Sequence, residues 1–260
     1  MTSAFRRRYG PWAVVAGASE GLGQAFAVEV VSRGVGVVLM ARRAEILESL
    51  AASLRAEGAD VLTVVGDLAT LEGHDALAAA TDAVEVGLVV ANAAFAPVGP
   101  VVGGEDSAAL QSVAVNCVSP LRLVQRFAPP MVQRGRGGIV LMSSLAGECG
   151  SPRIATYAAT KAFNTALAAG LWAELRPAGV DVVACISGGI ATPNLAGASR
   201  RRPPGTLSPE IVASRALDHL GRGPRVVPGV LNQLAAVALG RVLPARLALR
   251  VMGGATAELT

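Results

Sequence analysis

The chain has 260 residues, of which 52% are hydrophobic, 16% charged and 3% aromatic, and its formal net charge is +4. This apolar content is enough to fill one hydrophobic core and excludes a disordered chain. The shortage of aromatic residues and the lack of a recognised binding signature argue against a nucleic-acid partner, despite the basic charge.

The two ends of the chain raise the question of a signal or membrane segment. Arginines at 6–8 precede an apolar run that stops at a glycine-rich turn, so a buried strand at 12–16 is favoured over a secretion signal. The tail 230–251 is apolar, but three arginines and Pro244 interrupt it. A bilayer span needs about 18 uninterrupted apolar residues, so we expect no transmembrane segment.

Cysteine and histidine are scarce. The cysteines, Cys117, Cys149 and Cys185, form no C-x-x-C pair, which favours a reducing compartment and makes the cytoplasm the expected location. The two histidines, His74 and His219, are far apart and lack ligand spacing, so no metal site is expected.

Short apolar runs alternate with longer helical patterns along the whole chain. The strand-like runs lie at 12–16, 35–40, 61–66, 86–91, 137–143, 180–186 and 224–228. The helical patterns lie at 21–33, 43–57, 69–80, 107–134, 154–176 and 209–221. Strands that are apolar throughout are buried on both faces, so helices must cover both sides of the sheet. The pattern predicts a single α/β domain with a doubly wound parallel sheet of about seven strands.

A glycine-rich turn follows the first strand. It reads Gly17-Ala18-Ser19-Glu20-Gly21-Leu22-Gly23 and opens directly into a helix. Glycines let the backbone turn tightly and approach a pyrophosphate, and the start of a helix offers free N–H groups. The pattern favours a dinucleotide site, with a plain strand-to-helix turn as the alternative.

The same residues also contain G-x-S-x-G, which is typical of the nucleophile turn of serine hydrolases. In that alternative Ser19 is the nucleophile and His219 is its base. The turn lies on the first strand and the histidine is far along the chain. The hydrolase is therefore the less favoured hypothesis.

The second strand ends at Met40-Ala41-Arg42-Arg43, where an NAD site usually has a carboxylate for the ribose hydroxyls. No carboxylate stands here. Arg42 instead offers a guanidinium that suits a 2′-phosphate, with help from Ser19 or Arg43, and this favours NADPH over NADH. A solvated first helical turn is the alternative. Asp67, which ends the third strand, could meet the adenine amino group or cap the next helix.

Two polar residues lie close to points where a parallel sheet places its ligands. Ser144 follows the strand 137–143, and its hydroxyl can hold a substrate oxygen, although it or Ser143 could equally be a turn residue. Asn116 lies four residues before Pro120, which has no N–H to give to the Asn116 carbonyl. We therefore expect that carbonyl to be free to bind water, with a simple helix kink as the alternative.

Lys161 is the only lysine in the chain, and it follows Tyr157, one of two tyrosines, by four residues. Residues four apart share a helix face, so the ammonium is expected to stabilise the phenolate and to lower a pKa that is ordinarily about 10. Such a phenol can pass a proton to a carbonyl oxygen or take one from an alcohol. A compact ammonium can sit beside a phenol in a way that the planar guanidinium of arginine cannot.

Together these motifs resemble the short-chain dehydrogenase/reductase family over residues 12–228. The glycine motif, Asn116, Ser144 and the pair Tyr157 and Lys161 occur in the family's order and spacing. The resemblance implies a Rossmann-type sheet and hydride transfer at a nicotinamide, with Tyr157 as acid or base and Ser144 orienting the carbonyl. It also implies that Lys161 grips the nicotinamide ribose and that Asn116 holds a water in a proton relay.

Two segments depart from the family's pattern. Asn-Asn-Ala-Gly after the fourth strand appears as Ala91-Asn92-Ala93-Ala94, and Pro-Gly after the sixth strand appears as Ser187-Gly188, with Thr192 at its expected distance. Cofactor affinity is the property that these changes put in doubt. The cofactor-binding residues expected are Gly17, Ser19, Glu20, Gly21, Leu22, Gly23, Arg42, Arg43, Asp67, Leu68, Asn92, Ala93, Ala94, Tyr157, Lys161, Gly188, Ile190 and Thr192.

The substrate pocket is expected to be apolar, with Phe95, Leu145, Cys149 and Asn194 among its walls. The stretch 188–207 is rich in proline and glycine and predicts a mobile substrate loop. Its arginines 200–202 could attract an acyl carrier or a coenzyme A thioester, but a solvated loop is favoured. The extension 229–260 could cover the pocket as an amphipathic helix, pack on a partner subunit or touch an anionic membrane surface, but plain packing is favoured.

The predicted function is NADPH-dependent reduction of a ketone or aldehyde, or oxidation of a secondary alcohol, on a small apolar substrate. A homodimer or homotetramer is expected. A non-catalytic NADPH-sensing scaffold is the alternative from another class. Its expected mark, loss of the tyrosine or the lysine, is missing.

Overall fold

A sheet of seven parallel strands forms the centre of the protein. The computed structural model describes residues 3–104, 106–198, 203–257 and 259. The strands are β1 (Trp12–Ala16), β2 (Gly36–Ala41), β3 (Val61–Val65), β4 (Val86–Ala91), β5 (Gly137–Ser144), β6 (Val180–Ser187) and β7 (Arg225–Val226). Their order across the sheet is β3-β2-β1-β4-β5-β6-β7, and all neighbouring pairs are parallel. The predicted Rossmann-type fold is confirmed.

Helices precede the first strand, connect the strands and follow the last one. They are α1 (Ala4–Tyr9), α2 (Gly21–Ser32), α3 (Ala44–Ala56), α4 (Leu71–Thr81), α5 (Asp106–Val113), α6 (Ser119–Arg134), α7 (Ala155–Leu175), α8 (Pro193–Ala198), α9 (Pro209–His219), α10 (Val230–Val237) and α11 (Ala245–Thr256). No helix among the described residues is long and apolar enough to cross a membrane.

The core has two layers, one on each face of the sheet. Side chains of β1 alternate between them: Val15 belongs to the layer built with α2, α3 and α9, and Val14 to the layer built with α4, α6 and α7. Every residue of β2 and β4 is buried. This double burial is why the strands are apolar throughout rather than alternating.

The chain changes direction across the sheet between β1 and β4. From β1 it moves outward to β2 and β3, and it then returns to start β4 on the other side of β1. The connections on either side of this point leave on opposite faces and open a crevice at the carboxyl ends of the strands. The residues that follow β1, β4, β5 and β6 meet around this crevice.

The amino-terminal helix α1 packs at the amino ends of β4, β5 and β6, on the side of the sheet away from the crevice. The Tyr9 hydroxyl is buried and donates a hydrogen bond to Asp181 Oδ2 at 2.8 Å, and Arg8 Nε contacts the same oxygen at 2.8 Å. Burial, reinforced by the carboxylate, raises the pKa of Tyr9. The arginines at 6–8 thus belong to a helix of the folded domain.

Three predicted segments differ in the structure. The helix expected at 107–134 is interrupted by a π-helical turn at Ala114–Val118, where the Ser119 N–H bonds the carbonyl five residues back, because Pro120 has no N–H for the usual pattern. The seventh strand has two residues rather than five. The irregular stretch 188–207 contains the helix α8.

Candidate active site

The glycine turn between β1 and α2 is tightly packed. Gly17 and Gly21 have φ values of +80° and +58°, in the left-handed region that favours glycine. A Cβ atom on Gly23 would lie 1.9 Å from the Gly17 carbonyl oxygen, and one on Gly17 would lie 2.7 Å from Ala93 Cα. The turn is therefore a backbone cradle that tolerates no side chain at these positions.

Asn92 joins the end of β4 to this turn. Its Nδ2 donates a hydrogen bond to the Gly17 carbonyl at 3.0 Å. Ala93 is half-buried against Gly17, and Ala94 is exposed. The asparagine that remains of the family's pattern thus holds the glycine turn in place across the crevice.

The two arginines after β2 differ in their contacts. Arg43 Nη2 donates to Ser19 Oγ at 3.1 Å and pairs with Glu20 Oε1 at 2.8 Å. Arg42 is exposed and has no hydrogen bond or ion pair with the residues that the structure describes. Arg43 therefore stabilises the glycine turn, while the Arg42 guanidinium is available to a ligand.

Asp67 stabilises the turn that precedes α4. Its Oδ1 accepts a hydrogen bond from the Ala69 N–H at 2.9 Å, while Thr70 caps the helix itself through the Gly73 N–H at 3.1 Å. Leu68 is buried in the core. Thr70, and not Asp67, is therefore the cap of α4, so the helix-cap alternative for Asp67 is wrong. The contacts of Asp67 and Leu68 with a cofactor stay predictions.

The segment after β6 reaches the glycine turn. A Cβ on Gly21 would lie 2.8 Å from Thr192 Cγ2, so the two turns are in contact. Ile190 forms a parallel bridge with Leu207, and the Ala191 N–H donates to the Leu207 carbonyl at 2.9 Å. The base of the predicted loop is therefore closed by backbone hydrogen bonds. The arginines 200–202 lie outside the described residues.

Ser144 and Tyr157 meet at the carboxyl end of β5. Ser144 is the last residue of that strand, and its Oγ accepts from the Ala146 N–H at 3.3 Å, in the 3-10 turn that follows. Tyr157 lies in the first turn of α7, half-buried, with its phenol near enough to the Ser144 hydroxyl for that group to act on its pKa. Ser143 instead donates to the Lys161 carbonyl at 2.7 Å and joins the strand to the helix.

Lys161 lies one turn further along α7 and is 3% exposed. Its Nζ donates a hydrogen bond to the Met142 carbonyl at 3.0 Å and lies 5.4 Å from the centre of the Tyr157 ring. The ammonium is thereby fixed between the end of β5 and the phenol.

The predicted lowering of the Tyr157 pKa is wrong. Burial raises the pKa of Tyr157, and the nearby Ser144 hydroxyl opposes this to a smaller extent. Burial also lowers the pKa of Lys161 to about 8, with a smaller upward effect from Cys117. The reason is that the phenolate and the ammonium both lose hydration in this site. Tyr157 therefore keeps its proton at neutral pH, whereas the lowered pKa of Lys161 lies close to neutral pH.

Asn116 lies in the middle of the π-helical turn and is fully buried. Its side chain accepts from the Phe95 N–H at 2.8 Å and donates to Thr160 Oγ1 at 3.0 Å. Its main-chain carbonyl is not free, contrary to the prediction, because Asn164 Nδ2 donates to it at 3.0 Å. Pro120 does leave the carbonyl without its helical partner, but a side chain of α7 takes that place. A carbonyl oxygen has two lone pairs, so it can still accept a second hydrogen bond.

Asn164 is a site residue that sequence reasoning missed. Its Nδ2 also lies 3.3 Å from the Met142 carbonyl, the oxygen that accepts from Lys161. Its Oδ1 is buried and has no hydrogen-bond partner among the described residues. The signal was present in the sequence, because Tyr157, Lys161 and Asn164 are spaced i, i+4 and i+7 and share one helix face.

The residues expected to line the substrate pocket have varied surroundings. Phe95 is half-buried and its backbone is held by Asn116, while Leu145 packs against the core. Cys149 Sγ donates to the Gly150 carbonyl at 3.4 Å. Asn194 lies in α8, and its side chain is outside what the structure describes. The apolar pocket stays a prediction.

The serine-hydrolase alternative conflicts with the topology. Ser19 follows β1 at the carboxyl edge of the sheet, and Arg43 occupies its hydroxyl. His219 ends α9 just before β7, so it lies at the amino edge of the same parallel sheet. Within the described part of the chain, no three His, Cys, Asp or Glu side chains cluster as a metal site would need.

Comparison with known proteins identifies the family. The family model described as short chain dehydrogenase matches residues 11–203. A 7beta-hydroxysteroid dehydrogenase of Clostridium sardiniense is 30% identical over 233 residues, which cover 88% of this chain and 89% of that protein. The chain belongs to the short-chain dehydrogenase/reductase family. A very-long-chain 3-oxoacyl-CoA reductase of Podospora anserina is 35% identical over 190 residues, 70% of this chain but 56% of that protein, so the match spans little more than half its length.

Solved structures of family members have the same architecture. A structure described for 7beta-hydroxysteroid dehydrogenase stereoselectivity aligns with a TM-score of 0.90 at 27% identity, over 95% of this chain and 98% of the other. A short-chain dehydrogenase from Sphingobium yanoikuyae in complex with NADPH aligns with a TM-score of 0.76 at 31% identity, over 84% and 87% of the two chains. The protein is thus an oxidoreductase of hydroxyl or carbonyl groups that binds a nicotinamide cofactor. The glycine cradle and the unpaired Arg42 fit such a cofactor.

Gly23→Ala is expected to weaken binding of NADPH by about tenfold or more, because the added Cβ displaces the Gly17 carbonyl and with it the cradle. The measurement is a fluorescence titration of NADPH. Gly170→Ala is the matched control, since a Cβ at that position in α7 meets nothing within 4 Å. The control should keep its affinity and gain up to about 1 kcal/mol of stability. Equal affinity of the two variants would contradict a close-packed cradle.

Proposed function

We propose that the protein catalyses NADPH-dependent reduction of a ketone or aldehyde, and the reverse oxidation of a secondary alcohol, on an apolar substrate. The observation that carries this proposal is that the phenol of Tyr157 lies near the Ser144 hydroxyl and beside the buried ammonium of Lys161, at the carboxyl end of β5. These side chains offer two hydroxyl groups to one oxygen atom, with a cation behind them.

Tyr157 is the general acid in the reducing direction. Its raised pKa keeps the phenol protonated at neutral pH, so it can give its proton to the carbonyl oxygen as that oxygen gains charge. Ser144 donates a second hydrogen bond to the same oxygen and orients it. A bound nicotinamide supplies the hydride to the carbonyl carbon, or accepts it in oxidation.

Lys161 stabilises the phenolate that Tyr157 becomes after giving up its proton. The buried Nζ has one hydrogen-bond partner among the described residues, the Met142 carbonyl. An ammonium has three donors, so two remain for the nicotinamide ribose hydroxyls. Asn116 has the matching role for proton resupply, because its carbonyl can accept a water besides Asn164. These roles are the ones that the family resemblance implies.

The preference for NADPH rests on Arg42. It is exposed, has no partner among the described residues, and no carboxylate follows β2 that could hold ribose hydroxyls. A guanidinium forms paired, charge-assisted hydrogen bonds with a phosphate, so the 2′-phosphate is its expected partner. Arg43, which holds the glycine turn, supports the same site.

The names of two relatives support the proposed substrate class. One is named a 7beta-hydroxysteroid dehydrogenase and another a very-long-chain 3-oxoacyl-CoA reductase, and both names describe large apolar skeletons that carry an oxygen function. We extend that class to this chain, whose predicted pocket walls are apolar. An assembly of two or four copies remains a prediction of the family resemblance.

Tyr157→Phe is expected to lower kcat for ketone reduction by about 100-fold or more, since the proton donor is removed. The assay follows NADPH absorbance with a panel of hydroxysteroid ketones and 3-oxoacyl thioesters. Tyr9→Phe is the matched control because Tyr9 is the only other tyrosine and lies at the amino ends of the strands, away from the crevice. It should keep full activity. A wild-type protein that binds NADPH but reduces none of the panel would favour the sensing scaffold instead.

The rate of reduction is expected to fall as the pH rises through about 8, the pKa of Lys161. Below that pH the ammonium is charged and stabilises the phenolate formed in the reaction, and above it the amine is neutral. A pH profile of kcat/KM checks this. In Lys161→Arg the guanidinium stays charged, so the residual activity should lack the fall near pH 8. An unchanged inflection in that variant would assign it to another group.

Arg42→Ala is expected to weaken NADPH binding by about 10- to 100-fold, the range for a charge-assisted hydrogen bond, and to leave NADH binding nearly unchanged. Calorimetric titration with both cofactors measures this. Arg122→Ala, an exposed arginine on α6, is the control and should change neither affinity. Equal losses for both cofactors in Arg42→Ala would remove the basis of the NADPH preference.

A further inference from the structure

The helix α10 exposes an apolar stripe. Its buried residues are Asn232 and Ala236, and Leu239 follows on the same side, while the opposite side carries Val230, Leu234 and Val237. These three side chains are 71%, 63% and 51% exposed. They recur at i, i+4 and i+7 and therefore form one continuous strip. A strip of this kind on a folded domain marks an interaction surface.

The helix α11 has an outward side of mixed character. It packs on the protein through Ala248 and Thr256, and the opposite side carries Arg246, Leu247 and Arg250. Leu247 is 44% exposed, and both arginines are exposed without a hydrogen bond or ion pair to the described residues. Two cations and one leucine thus share the outward side of α11.

The charge of this part of the chain has one sign. Between Asp218 and Glu258 the sequence contains five arginines and no acidic residue. The arginines are Arg222, Arg225, Arg241, Arg246 and Arg250. Only Arg225 has an acidic partner among the described residues, Glu148 at 3.2 Å. The surface therefore complements a negatively charged partner.

A cavity of about 540 Å³ between α9 and α10 links the cations to the apolar strip. Arg215, Arg222 and Arg225 line it together with Val230, the first residue of the strip. Asp218 also lines it but is paired with Arg33 at 2.9 Å. Arg215 and Arg222 are exposed and have no partner among the described residues. The cavity is thus a basic recess at one end of the apolar surface.

We propose that the segment 230–251 docks the protein onto an anionic lipid surface. The apolar side chains of α10 enter the interface, and the arginines contact the lipid phosphates, as in helices that lie in the plane of a membrane. Among the described residues no helix can span a bilayer, so the contact is peripheral. This inference is independent of the reaction proposed above.

A second copy of this chain fits the surface less well. A two-fold interface places the same patch on both sides, so arginines of one copy would face a segment that carries no carboxylate. Like charges at an interface oppose association. An anionic bilayer offers apolar depth and negative charge together, which is the combination that this surface requires.

The experiment is co-sedimentation of the full chain with vesicles of phosphatidylcholine alone or mixed equally with phosphatidylserine. Binding is expected to the mixed vesicles only, and it should weaken in high salt because exposed charges are screened. Binding to neither vesicle, or equal binding to both, would overturn the proposal.

Two sets of variants separate the parts of the surface. R241Q/R246Q/R250Q should weaken binding to mixed vesicles by about 100-fold, as expected for three cations at an anionic surface. V230S/L234S/V237S should lose binding as well. The matched controls are R122Q/R126Q/R176Q and V28S/I46S/L71S, which replace three arginines or three aliphatic side chains at exposed positions elsewhere. Both controls should bind like the wild type, and circular dichroism verifies that every variant is folded.

The oligomeric state provides the competing outcome. Sedimentation velocity of V230S/L234S/V237S is expected to give the same assembly as the wild type. If the variant instead dissociates into smaller species and the wild type does not bind vesicles, the strip is an interface between copies and the lipid proposal is wrong.

Discussion

The carbonyl oxygen of Met142 is the point on which the site depends. It accepts a hydrogen bond from Lys161 Nζ at 3.0 Å and a second from Asn164 Nδ2 at 3.3 Å. Burying a neutral polar group without a hydrogen bond costs about 2–7 kcal/mol, and burying an unpartnered ammonium costs more. The bond therefore ties α7 to the last residues of β5. Because Tyr157 precedes Lys161 by one helical turn, the same tie sets the phenol against Ser144, which ends that strand.

The choice of lysine at this one position follows from its burial. Everywhere else the chain carries its positive charge on arginine, which stays protonated in proteins. Desolvation lowers the pKa of Lys161 to about 8, so its charge responds to the environment in the physiological range. Arg43 has the contrasting task, since a permanent charge is what a surface pair with Glu20 and a bond to Ser19 require. Both side chains carry a positive charge, and what distinguishes them is that Lys161 is buried and Arg43 is exposed.

The sequence predicted the strands well because their burial leaves a local mark. The bounds of β1 and β4 agree with the prediction at both ends, and β2, β3, β5 and β6 differ by one residue at one or both ends. The π-helical turn, the contacts of Asn164 and the direction of the Tyr157 pKa shift were not predicted. The π-helical turn forms where Pro120 interrupts its own helix, at a point where the sequence predicted a free carbonyl or a kink. The other two depend on what another element brings near: α7 on the Asn116 carbonyl, and the surrounding core on the hydration of the phenol. Spacing identifies which side chains share a helix face, but it does not show which of them lose their hydration when the elements pack together.

The segment beyond the sheet is joined to the site from both sides. A Cβ on Gly188, after β6, would lie 2.5 Å from Asn232 Oδ1 of α10, and one on Gly150 would lie 3.7 Å from Leu249 of α11. Arg225 in β7 pairs with Glu148 in the turn after Ser144, at 3.2 Å. The turn after β5, which contains the predicted pocket residues Leu145 and Cys149, is therefore held in place by Arg225 of β7 and by α11. The side chains of Ser144, Tyr157 and Asn116 are held by β5, α7 and the π-helical turn, which the family resemblance covers. We therefore expect differences in substrate to depend in part on the contacts of α10 and α11 with the loops after β5 and β6.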